Sequence, residues 1–501
     1  MATRDALAAF CAASARDDDA TSLADDVALA EIARAIADGA RAVLDVVVDL
    51  EGFLTATEPK PRARATEILA HVAEECAMTL DDRAVRTLSA FFASRLSDFA
   101  STASAARGAE ALVKRANAEA IEATSRALFA ECDVQGLRQS DREACVRLAI
   151  EMLRSAHAGA CARGAGDGEP NEALARIIGA FDGEKDPRCV LGLCEVWTLL
   201  PGAFERFGEG GKAVYEENAE ELYDVAASYF PVSFKPPRGD SIKISRRQLA
   251  EAVERAMTAS PTFAPWAVAH ALESLNPELG PGKMADAARA VRAMGERFGA
   301  SVMEEYMGIV WQAMRAALAH PNATKMEEDD DVQATTPMAV MTTMFASEFT
   351  RGTLARAALT DQCVRDAEVT LRRMANDSSS DDVDGACAME TSDEGCCGGG
   401  CGGGSKSSGE EAARGKLVVA TASRVLGAVA AATPTLAHEV IHGTLKSLLD
   451  AAKIPREIDG LHSSKAAYLA LILATPALGG ALDCCERNAE SSVHMSVLDD
   501  E

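Results

Sequence analysis

The sequence predicts an all-α fold without a sheet: a HEAT- or armadillo-type α-solenoid of stacked helical hairpins. Apolar residues recur with helical spacing along most of the chain, aromatic residues make up only 5% of it, and helices follow one another in pairs. Two helices with their turns take roughly 40 to 47 residues, which is the period of HEAT and armadillo repeats. A helix with one apolar stripe needs a neighbour to bury that stripe, so we expect successive pairs to stack.

The clearest hairpin surrounds residues 181–188. Apolar residues at helical spacing over 174–181 predict a helix that ends at Phe181, and Gly183 is placed to close it in the left-handed conformation. Asp186 is a suitable N-cap and Pro187 suits the first helical position, where its missing N–H has no partner anyway. The sequence therefore predicts two helices joined by a short charged turn.

The same pattern recurs on both sides of this hairpin. Pro231 disfavours helical geometry in the residue before it, so a helix over 222–229 must stop by Phe230. Helical spacing and capping signals predict further elements elsewhere. These are a turn at 58–61, a hairpin over 65–96 capped at Asp81–Asp82, hairpins at about 104–158 and 171–200, a capping box at Ser245–Gln248, and a helix opening at Pro265–Trp266.

Composition divides the chain into six segments. Segments dominated by acidic residues, serine, glycine and cysteine cannot bury enough apolar surface to offset chain entropy. The predicted segments are a HEAT-like repeat domain (1–322), an acidic linker (323–335), a helical continuation (336–375), a disordered acidic and Gly/Cys-rich insert (376–414), further helical repeats (415–490) and a frayed acidic tail (491–501).

Charge and hydropathy exclude two function classes. The formal net charge of −27 repels phosphate backbones, so direct nucleic-acid binding is not predicted. The longest uncharged apolar run, residues 466–482, contains Pro476 and two glycines, which favours a buried helix and its turn over a membrane span. The 14 cysteines lack the regular spacing of a secreted disulfide framework, which is typical of a protein in a reducing compartment.

One motif admits an enzymatic interpretation. His438, Glu439 and His442 form H-E-x-x-H on a predicted helix, the pattern in which two imidazoles hold zinc and the glutamate acts as general base. A third protein ligand is not evident, because the position six residues past the second histidine is Leu448. The histidines also border an apolar stripe, so ordinary helical-repeat residues are the favoured interpretation and a zinc hydrolase is the alternative.

Two other kinds of segment invite a functional interpretation. Cys396, Cys397 and Cys401 could donate thiolates to zinc or an iron–sulfur cluster, but they lack paired C-x-x-C elements. Residues 208–212 and 280–283 resemble phosphate-binding loops without the required spacing or a preceding strand, so we predict turns there. We predict no catalytic, cofactor-binding or metal-binding residue.

Five strings, in order along the chain, carry a resemblance to a known family. Together they resemble the N-terminal region of the family named for methyl-methanesulfonate sensitivity and nucleotide-excision repair, the HEAT-repeat adaptor of cytosolic iron–sulfur protein assembly. The resemblance runs from about residue 40 to about residue 320. The strings are E-P-K-P-R-A-R (58–64), V-Q-G-L-R-Q-S-D-R (134–142), F-D-G-E-K-D-P-R (181–188), E-L-Y-D-V-A-A-S-Y-F-P-V-S-F (221–234) and S-P-T-F-A (260–264).

The resemblance implies a non-catalytic adaptor in cytoplasm and nucleus that helps deliver clusters to apoproteins of DNA repair, replication and transcription. Implied partners are subunits of the cytosolic iron–sulfur targeting complex and apoproteins such as DNA helicases and polymerases. Proteins of this family are longer, and their C-terminal repeats dock the other assembly factors. We therefore expect this chain to be a partial member that binds the complex poorly. A HEAT-repeat transport or transcription-regulator scaffold is the alternative.

The charged turn is the candidate contact surface. Glu184, Lys185, Asp186 and Arg188 lie within one of the five strings, which supports a partner contact there, with an ordinary solvated loop as the alternative. Four aromatic residues on apolar stripes are predicted to pack in the core; they are Tyr223, Tyr229, Phe230 and Trp311.

Overall fold

The computed structural model describes residues 22–208, 210–234, 244–319, 362–377 and 440–451, with Cys11, His438 and single positions between 419 and 430. Every regular element in these ranges is helical, as the sequence predicts. The chain divides into two compact units, Met1–Trp266 and Ala267–Glu501. The predicted first domain, 1–322, contains the whole first unit and the first helices of the second.

The first unit is a succession of helices joined by short turns. A π-helical turn, Ala127–Glu131, extends the helix that ends at Arg126, and a 3-10 turn, Pro261–Phe263, follows the helix that ends at Met257. The helices are α1 (Ser22–Ala37), α2 (Val43–Leu54), α3 (Pro59–Cys76), α4 (Asp82–Arg95), α5 (Thr102–Leu112), α6 (Ala118–Arg126), α7 (Gln139–Arg154), α8 (Ala158–Ala165), α9 (Pro170–Phe181), α10 (Pro187–Glu205), α11 (Gly211–Glu217), α12 (Ala219–Ala227) and α13 (Arg246–Met257).

These helices pack in two layers, as expected for stacked hairpins. In one layer α3 packs on α5, α5 on α7, α7 on α10 and α10 on α13; in the other, α4 packs on α6, α6 on α8 and α8 on α9. Within these two layers each helix contacts the next helix of the layer, so neighbouring hairpins bury the apolar stripes that one hairpin cannot cover. The first unit is therefore an α-solenoid of stacked helical hairpins.

Local signals placed several helix ends correctly. Gly183 has φ 74° directly after α9, and Asp186 caps α10 with Pro187 at its first position. The Asp81 carboxylate accepts the backbone N–H of Ala84 at 2.7 Å, and Ser245 opens α13 with the predicted capping box. Each signal acts within a few residues, so the sequence alone was sufficient to predict these helix ends.

Two predicted boundaries were wrong. Helix α3 begins at Pro59, inside the predicted turn at 58–61, because Pro59 and Pro61 both lie in the first helical turn, where N–H groups have no intrahelical acceptor. The predicted hairpin at 104–158 contains three helices, α5 to α7. The additional break lies at Asn117, whose side chain accepts the N–H of Ala120 at 2.9 Å and caps α6.

The second unit is also helical where it is described. Helix α14, Ala264–Ser274, contains the division between the units. The helix Gln362–Asp377 packs against the helix Lys446–Ala451. No helix among the described residues is long and apolar enough to cross a bilayer. The remaining helices are α15 (Pro281–Phe298), α16 (Ala300–Met303), α17 (Met307–Ala319), α18 (Gln362–Asp377) and α19 (Lys446–Ala451), with 3-10 turns at Pro277–Leu279 and Glu304–Tyr306 and a π-helical turn at Val440–Leu445.

Several predicted segments lie outside the described residues. These are the acidic linker (323–335), the tail (491–501) and the insert (376–414), apart from its first two positions, which are the last two of α18. The apolar run at 466–482 and the cysteines at 396, 397 and 401 also lie there.

Helix α8 packs closely against the backbone of neighbouring elements. All but one of its residues are buried, and Ser125 of α6 donates to the carbonyl of Cys161 at 2.6 Å. A side chain at Gly164 would collide with the backbone carbonyl of Glu122, and one at Gly159 with that of Arg206. Glycine is required at both positions because a neighbouring backbone occupies the space of a Cβ atom.

This packing predicts a position-specific effect of adding one methyl group. Gly164→Ala should lower the free energy of unfolding by about 1–3 kcal/mol, because the Cβ atom overpacks against the α6 backbone. Gly52→Ala is the matched control: Gly52 is exposed in α2 with open space where a Cβ atom would stand, and the change should stabilise by about 0.5–1 kcal/mol. Urea titration of both variants checks this. Equal effects would show that α8 is not tightly packed.

Candidate protein-interaction surface

The turn between α9 and α10 is held by the carboxylate of Glu184. Arg142 of α7 donates from Nε to Oε2 at 2.7 Å and from Nη2 to Oε1 at 3.2 Å. Oε1 also accepts the backbone N–H groups of Lys185 at 2.8 Å and of Asp186 at 2.9 Å. Only 11% of the Glu184 side chain is exposed. One carboxylate therefore binds the guanidinium of the preceding hairpin and the backbone of its own turn.

These contacts decide the charge state of Glu184. Burial alone would raise the pKa of its carboxyl group, but the hydrogen bonds from Arg142 and from the backbone of Asp186 and Lys185 outweigh burial and lower the pKa. The folded protein consequently holds Glu184 as a carboxylate more firmly than the unfolded chain does. The ion pair is worth more than a surface pair because little water reaches it.

Asp186 and Arg188 bind each other. Asp186 Oδ1 accepts the backbone N–H and the Nε of Arg188, both at 3.0 Å, and Oδ2 accepts from Nη2 at 2.9 Å. The hydrogen bond from Arg188 is the main cause that lowers the pKa of Asp186. This pair completes the cap of α10, so three of the four residues predicted to contact a partner have internal partners.

The turn at 134–142 lies against the turn at 181–188, and we call these two segments the paired turns. Gln135 Nε2 donates to the carbonyls of Gly179 at 2.6 Å and Asp182 at 3.2 Å, in addition to the Arg142–Glu184 pair. Two of the family-like strings are thus bonded to each other.

The paired turns leave two cations facing solvent. Lys185 is exposed between Glu184 and Asp186, and Arg138 is exposed at the N-cap of α7. Neither side chain has an ion-pair partner within the part of the chain that the structure describes. These are the groups of the paired turns that remain available to a carboxylate on another molecule.

A third string is bonded to the same turn. The Tyr229 hydroxyl, beyond α12, donates to the carbonyl of Glu184 at 3.0 Å, and the Trp197 indole N–H donates to the carbonyl of Leu222 at 2.9 Å. The prediction of core packing is confirmed for Tyr223, Phe230 and Trp311, which are buried. Tyr229 is the exception: it is half-buried, because its hydroxyl reaches the backbone of the turn.

Residues of the first and last strings also contact other elements of the first unit. Arg62 donates to both oxygens of Asp98, at 2.5 and 2.9 Å, and to the carbonyl of Ala56 at 2.8 Å. Phe263 lies against the rings of Tyr215 and Tyr223, with centroid distances of 6.1 and 5.8 Å. All five strings therefore contain residues that join separate elements of the first unit.

The sequence did not identify Gln135, Arg138 and Arg142 as residues of this site, although all three lie in the family-like string at 134–142. A signal for Arg142 was present: its ion-pair partner is 42 residues away, and Arg62 is 36 residues from Asp98. Both separations lie close to one repeat. Opposite charges separated by one repeat therefore indicate contacts between successive hairpins.

The H-E-x-x-H motif lies in the second unit. His438 and His442 are exposed, with ring centroids 4.4 Å apart, and the π-helical turn Val440–Leu445 contains the second of them. Glu439 lies outside the described residues. Among the residues that are described, no group of three or more His, Cys, Asp or Glu side chains could hold a metal ion.

The two glycine segments are turns only in part. Gly208 and Gly210 have φ 126° and 86° between α10 and α11, and Gly280 has φ 94° directly before α15. The prediction was wrong for residues 211–212 and 281–283, which form the first turns of α11 and α15. A helix, not a strand, precedes 208–212, so the segment lacks the setting of a phosphate-binding loop.

The buried carboxylate predicts a pH-dependent loss of stability. Glu184→Gln should lower the free energy of unfolding at pH 7 by about 1–3 kcal/mol, because the Arg142 charge loses its counterion. The pKa of Glu184 is lowered by folding, so its contribution is present above the unfolded pKa and is lost as pH falls. The difference from wild type should therefore shrink below the ordinary glutamate pKa of about 4.3.

The control for this measurement is Glu172→Gln, which removes an exposed pair with Arg176 on α9 and should change stability by no more than about 0.5 kcal/mol. Denaturant titrations from pH 3 to 7 compare both variants with wild type. A Glu184→Gln effect as small as the control, or one that is independent of pH, would contradict the role given to the carboxylate.

Comparison with known proteins agrees with the resemblance. A family model described as "Dos2-interacting transcription regulator of RNA-Pol-II", the MMS19 N-terminal model, matches residues 47–320. The chain is 27% identical over 307 residues to the MMS19 nucleotide excision repair protein homolog of Arabidopsis thaliana, and 26% identical over 302 residues to that of Homo sapiens.

These matches cover 60% of this chain in both cases, but only 26% of the Arabidopsis protein and 28% of the human one. The zebrafish homolog, from Danio rerio, is similar to the same extent, with 26% identity over 307 residues and 28% of its length covered. The chain thus spans about a quarter of the length of the curated relatives it matches. Because the family model matches residues 47–320 of 501, the chain belongs to the MMS19 N-terminal family.

Proposed function

We propose that this chain is a non-catalytic adaptor that acts in DNA repair and transcription and helps to deliver iron–sulfur clusters to apoproteins. One observation carries the proposal: the family-like strings join successive hairpins and leave Lys185 and Arg138 pointing outward. An adaptor needs a well-ordered surface with charged side chains that are free to contact a partner. The paired turns have internal hydrogen bonds that order them, and they expose the side chains of Lys185 and Arg138. The names of the relatives, which refer to nucleotide excision repair, support the same setting.

The proposed partners are proteins. The net charge of −27 disfavours a direct nucleic-acid surface, whereas two free cations on a bonded turn suit an acidic protein segment. We propose that this segment belongs to a subunit of the cytosolic iron–sulfur targeting complex or to an apoprotein such as a DNA helicase or polymerase. The proposed setting is the cytoplasm and nucleus.

Contact energy at this surface depends on its rigidity. The backbone N–H groups of Lys185 and of Asp186 both donate to the Glu184 carboxylate. The backbone of Lys185 is therefore fixed before any partner binds. A fixed backbone reduces the entropy that association loses. The contact role proposed for Glu184, Asp186 and Arg188 is therefore indirect: their side chains hold the turn, and Lys185 meets the partner.

A second candidate function is a transcription-regulator scaffold without a role in cluster delivery. The description of the family model, a transcription regulator of RNA polymerase II, favours this alternative. The two candidates differ in the proteins that should bind. A cluster-delivery adaptor should enrich iron–sulfur apoproteins, whereas a scaffold confined to transcription should enrich polymerase-associated proteins irrespective of cluster content.

The experiment is a quantitative pull-down with the full chain and the double variant Arg138→Glu/Lys185→Glu. We expect the variant to recover iron–sulfur apoproteins at least about tenfold less, which corresponds to about 1.4 kcal/mol of binding free energy. Both side chains are exposed, so the melting temperature should not change.

The matched control is Arg83→Glu/Arg86→Glu, which makes the same charge change at two exposed positions of α4. Equal losses in the two double variants would show a non-specific charge effect and contradict the assignment of the paired turns. Enrichment of transcription proteins without iron–sulfur apoproteins would favour the second candidate function.

A further inference from the structure

The turn before α5 is ordered in the same way as the turn before α10. Arg62, the fourth residue of α3, donates to both carboxylate oxygens of Asp98. Arg142, the fourth residue of α7, makes the equivalent pair of hydrogen bonds to Glu184. Both carboxylates are mostly buried, with 16% of the Asp98 side chain and 11% of the Glu184 side chain exposed. An arginine of an earlier hairpin therefore orders each of the two turns.

The turn at Asp98 also has hydrogen bonds of its own. The Ser101 hydroxyl donates to Asp98 Oδ2 at 2.9 Å, and the Ser101 backbone N–H donates to the Asp98 carbonyl at 2.7 Å. The Thr102 hydroxyl donates to the same carbonyl at 3.0 Å. Phe99 lies within this turn and is 55% exposed. An aromatic side chain is thus exposed to water on a backbone that the fold holds in place.

Phe99, Arg138 and Lys185 occupy equivalent places in the first unit. They lie in the connections that precede α5, α7 and α10, and these helices pack side by side in one layer. Glu110 and Arg147 show that α5 and α7 begin level with each other: each is the ninth residue of its helix, and they form an ion pair at 3.6 Å. The hydrogen bonds of the paired turns join the starts of α7 and α10. The three exposed side chains therefore lie along one edge of the unit.

The spacing along this edge suits an extended chain. Packed helices lie about 8–10 Å apart, so the connections before neighbouring helices are separated by roughly the same distance. An extended chain rises about 3.3 Å per residue, so about every third residue of a bound segment reaches the next connection. An exposed aromatic ring suits an apolar side chain of the segment, and the two cations suit carboxylates.

We propose that Phe99, Arg138 and Lys185 form one docking surface for an extended acidic segment of another protein. An apolar residue of the segment contacts Phe99, and acidic residues about three and six positions away contact Arg138 and Lys185. Asp133 and Asp182 are exposed in the same connections as the two cations, so acidic residues at other spacings meet like charge. This inference deepens the proposed function and rests on it, because the same two cations are assigned there.

The test selects peptides from a random library displayed on phage, with the folded full chain as the target. Enriched peptides should share an apolar residue and acidic residues at intervals of about three positions. These peptides are then synthesised with a fluorophore, and fluorescence anisotropy measures their Kd for the full chain and for its variants. Enrichment of acidic peptides without the apolar residue, or of no acidic peptide, would overturn the inference.

Variants separate the aromatic contribution from the charge contribution. Phe99→Ser should raise the Kd of the selected peptides at least about fivefold, the loss expected when an interface anchor is removed. The matched control is Met78→Ser, which removes a side chain that is 73% exposed beyond the opposite end of α3 and should leave the Kd unchanged. Both side chains are exposed, so neither change should alter the melting temperature. Equal losses in the two variants would overturn the inference.

The double variant Arg138→Glu/Lys185→Glu distinguishes this inference from the proposed function. It should raise the Kd of the same peptides at least about tenfold. A loss in the double variant with an unchanged Kd in Phe99→Ser would overturn the three-residue surface and leave the proposed role of the two cations intact. An unchanged Kd in the double variant would contradict both.

Discussion

The ion pair between Arg142 and Glu184 is the interaction on which the middle of the first unit depends. Its carboxylate also accepts two N–H groups of its own turn, and the carbonyl of the same residue accepts the Tyr229 hydroxyl. One residue thus joins α7, the start of α10 and the segment after α12. Removing it would leave a partly buried guanidinium and two backbone donors without acceptors, which costs more than a surface ion pair is worth. The orientation of Lys185 follows from this arrangement, because its backbone N–H is one of those donors.

The same kind of contact recurs along the first unit, between residues separated by about one repeat. Arg126 binds Asp167, Arg142 binds Glu184 and Arg163 binds the carbonyl of Phe207, with separations of 41, 42 and 44 residues. Apolar burial drives the stacking of the helices but has no direction. Hydrogen bonds are directional, and those between residues about one repeat apart in sequence specify which end of one hairpin contacts which end of the next. We infer that burial stabilises the stack and that the arginine contacts set its register.

The sequence predicted what is encoded locally. Helix spacing ending at Phe181, the cap at Asp186 and the box at Ser245 each depend on neighbours within a few residues, and all three are present. The contact site at residues 184–188 stays a prediction, and the sequence could not separate the structural roles of the residues within that turn. Glu184 holds the turn and Lys185 faces solvent because Arg142 lies opposite, and that contact spans 42 residues. The partial exposure of Tyr229 could not be predicted for the same reason: the carbonyl of Glu184, which accepts its hydroxyl, belongs to another hairpin.

The central claim is that Glu184 couples three elements of the first unit, and amide hydrogen exchange in Glu184→Gln tests it most directly. We predict faster exchange at the start of α7, at the start of α10 and at the end of α12 together, with α3 and α4 unchanged. These three regions are distant in sequence, and Glu184 contacts each of them. Faster exchange confined to the turn at 182–186, with α7 and α12 as in wild type, would contradict the account.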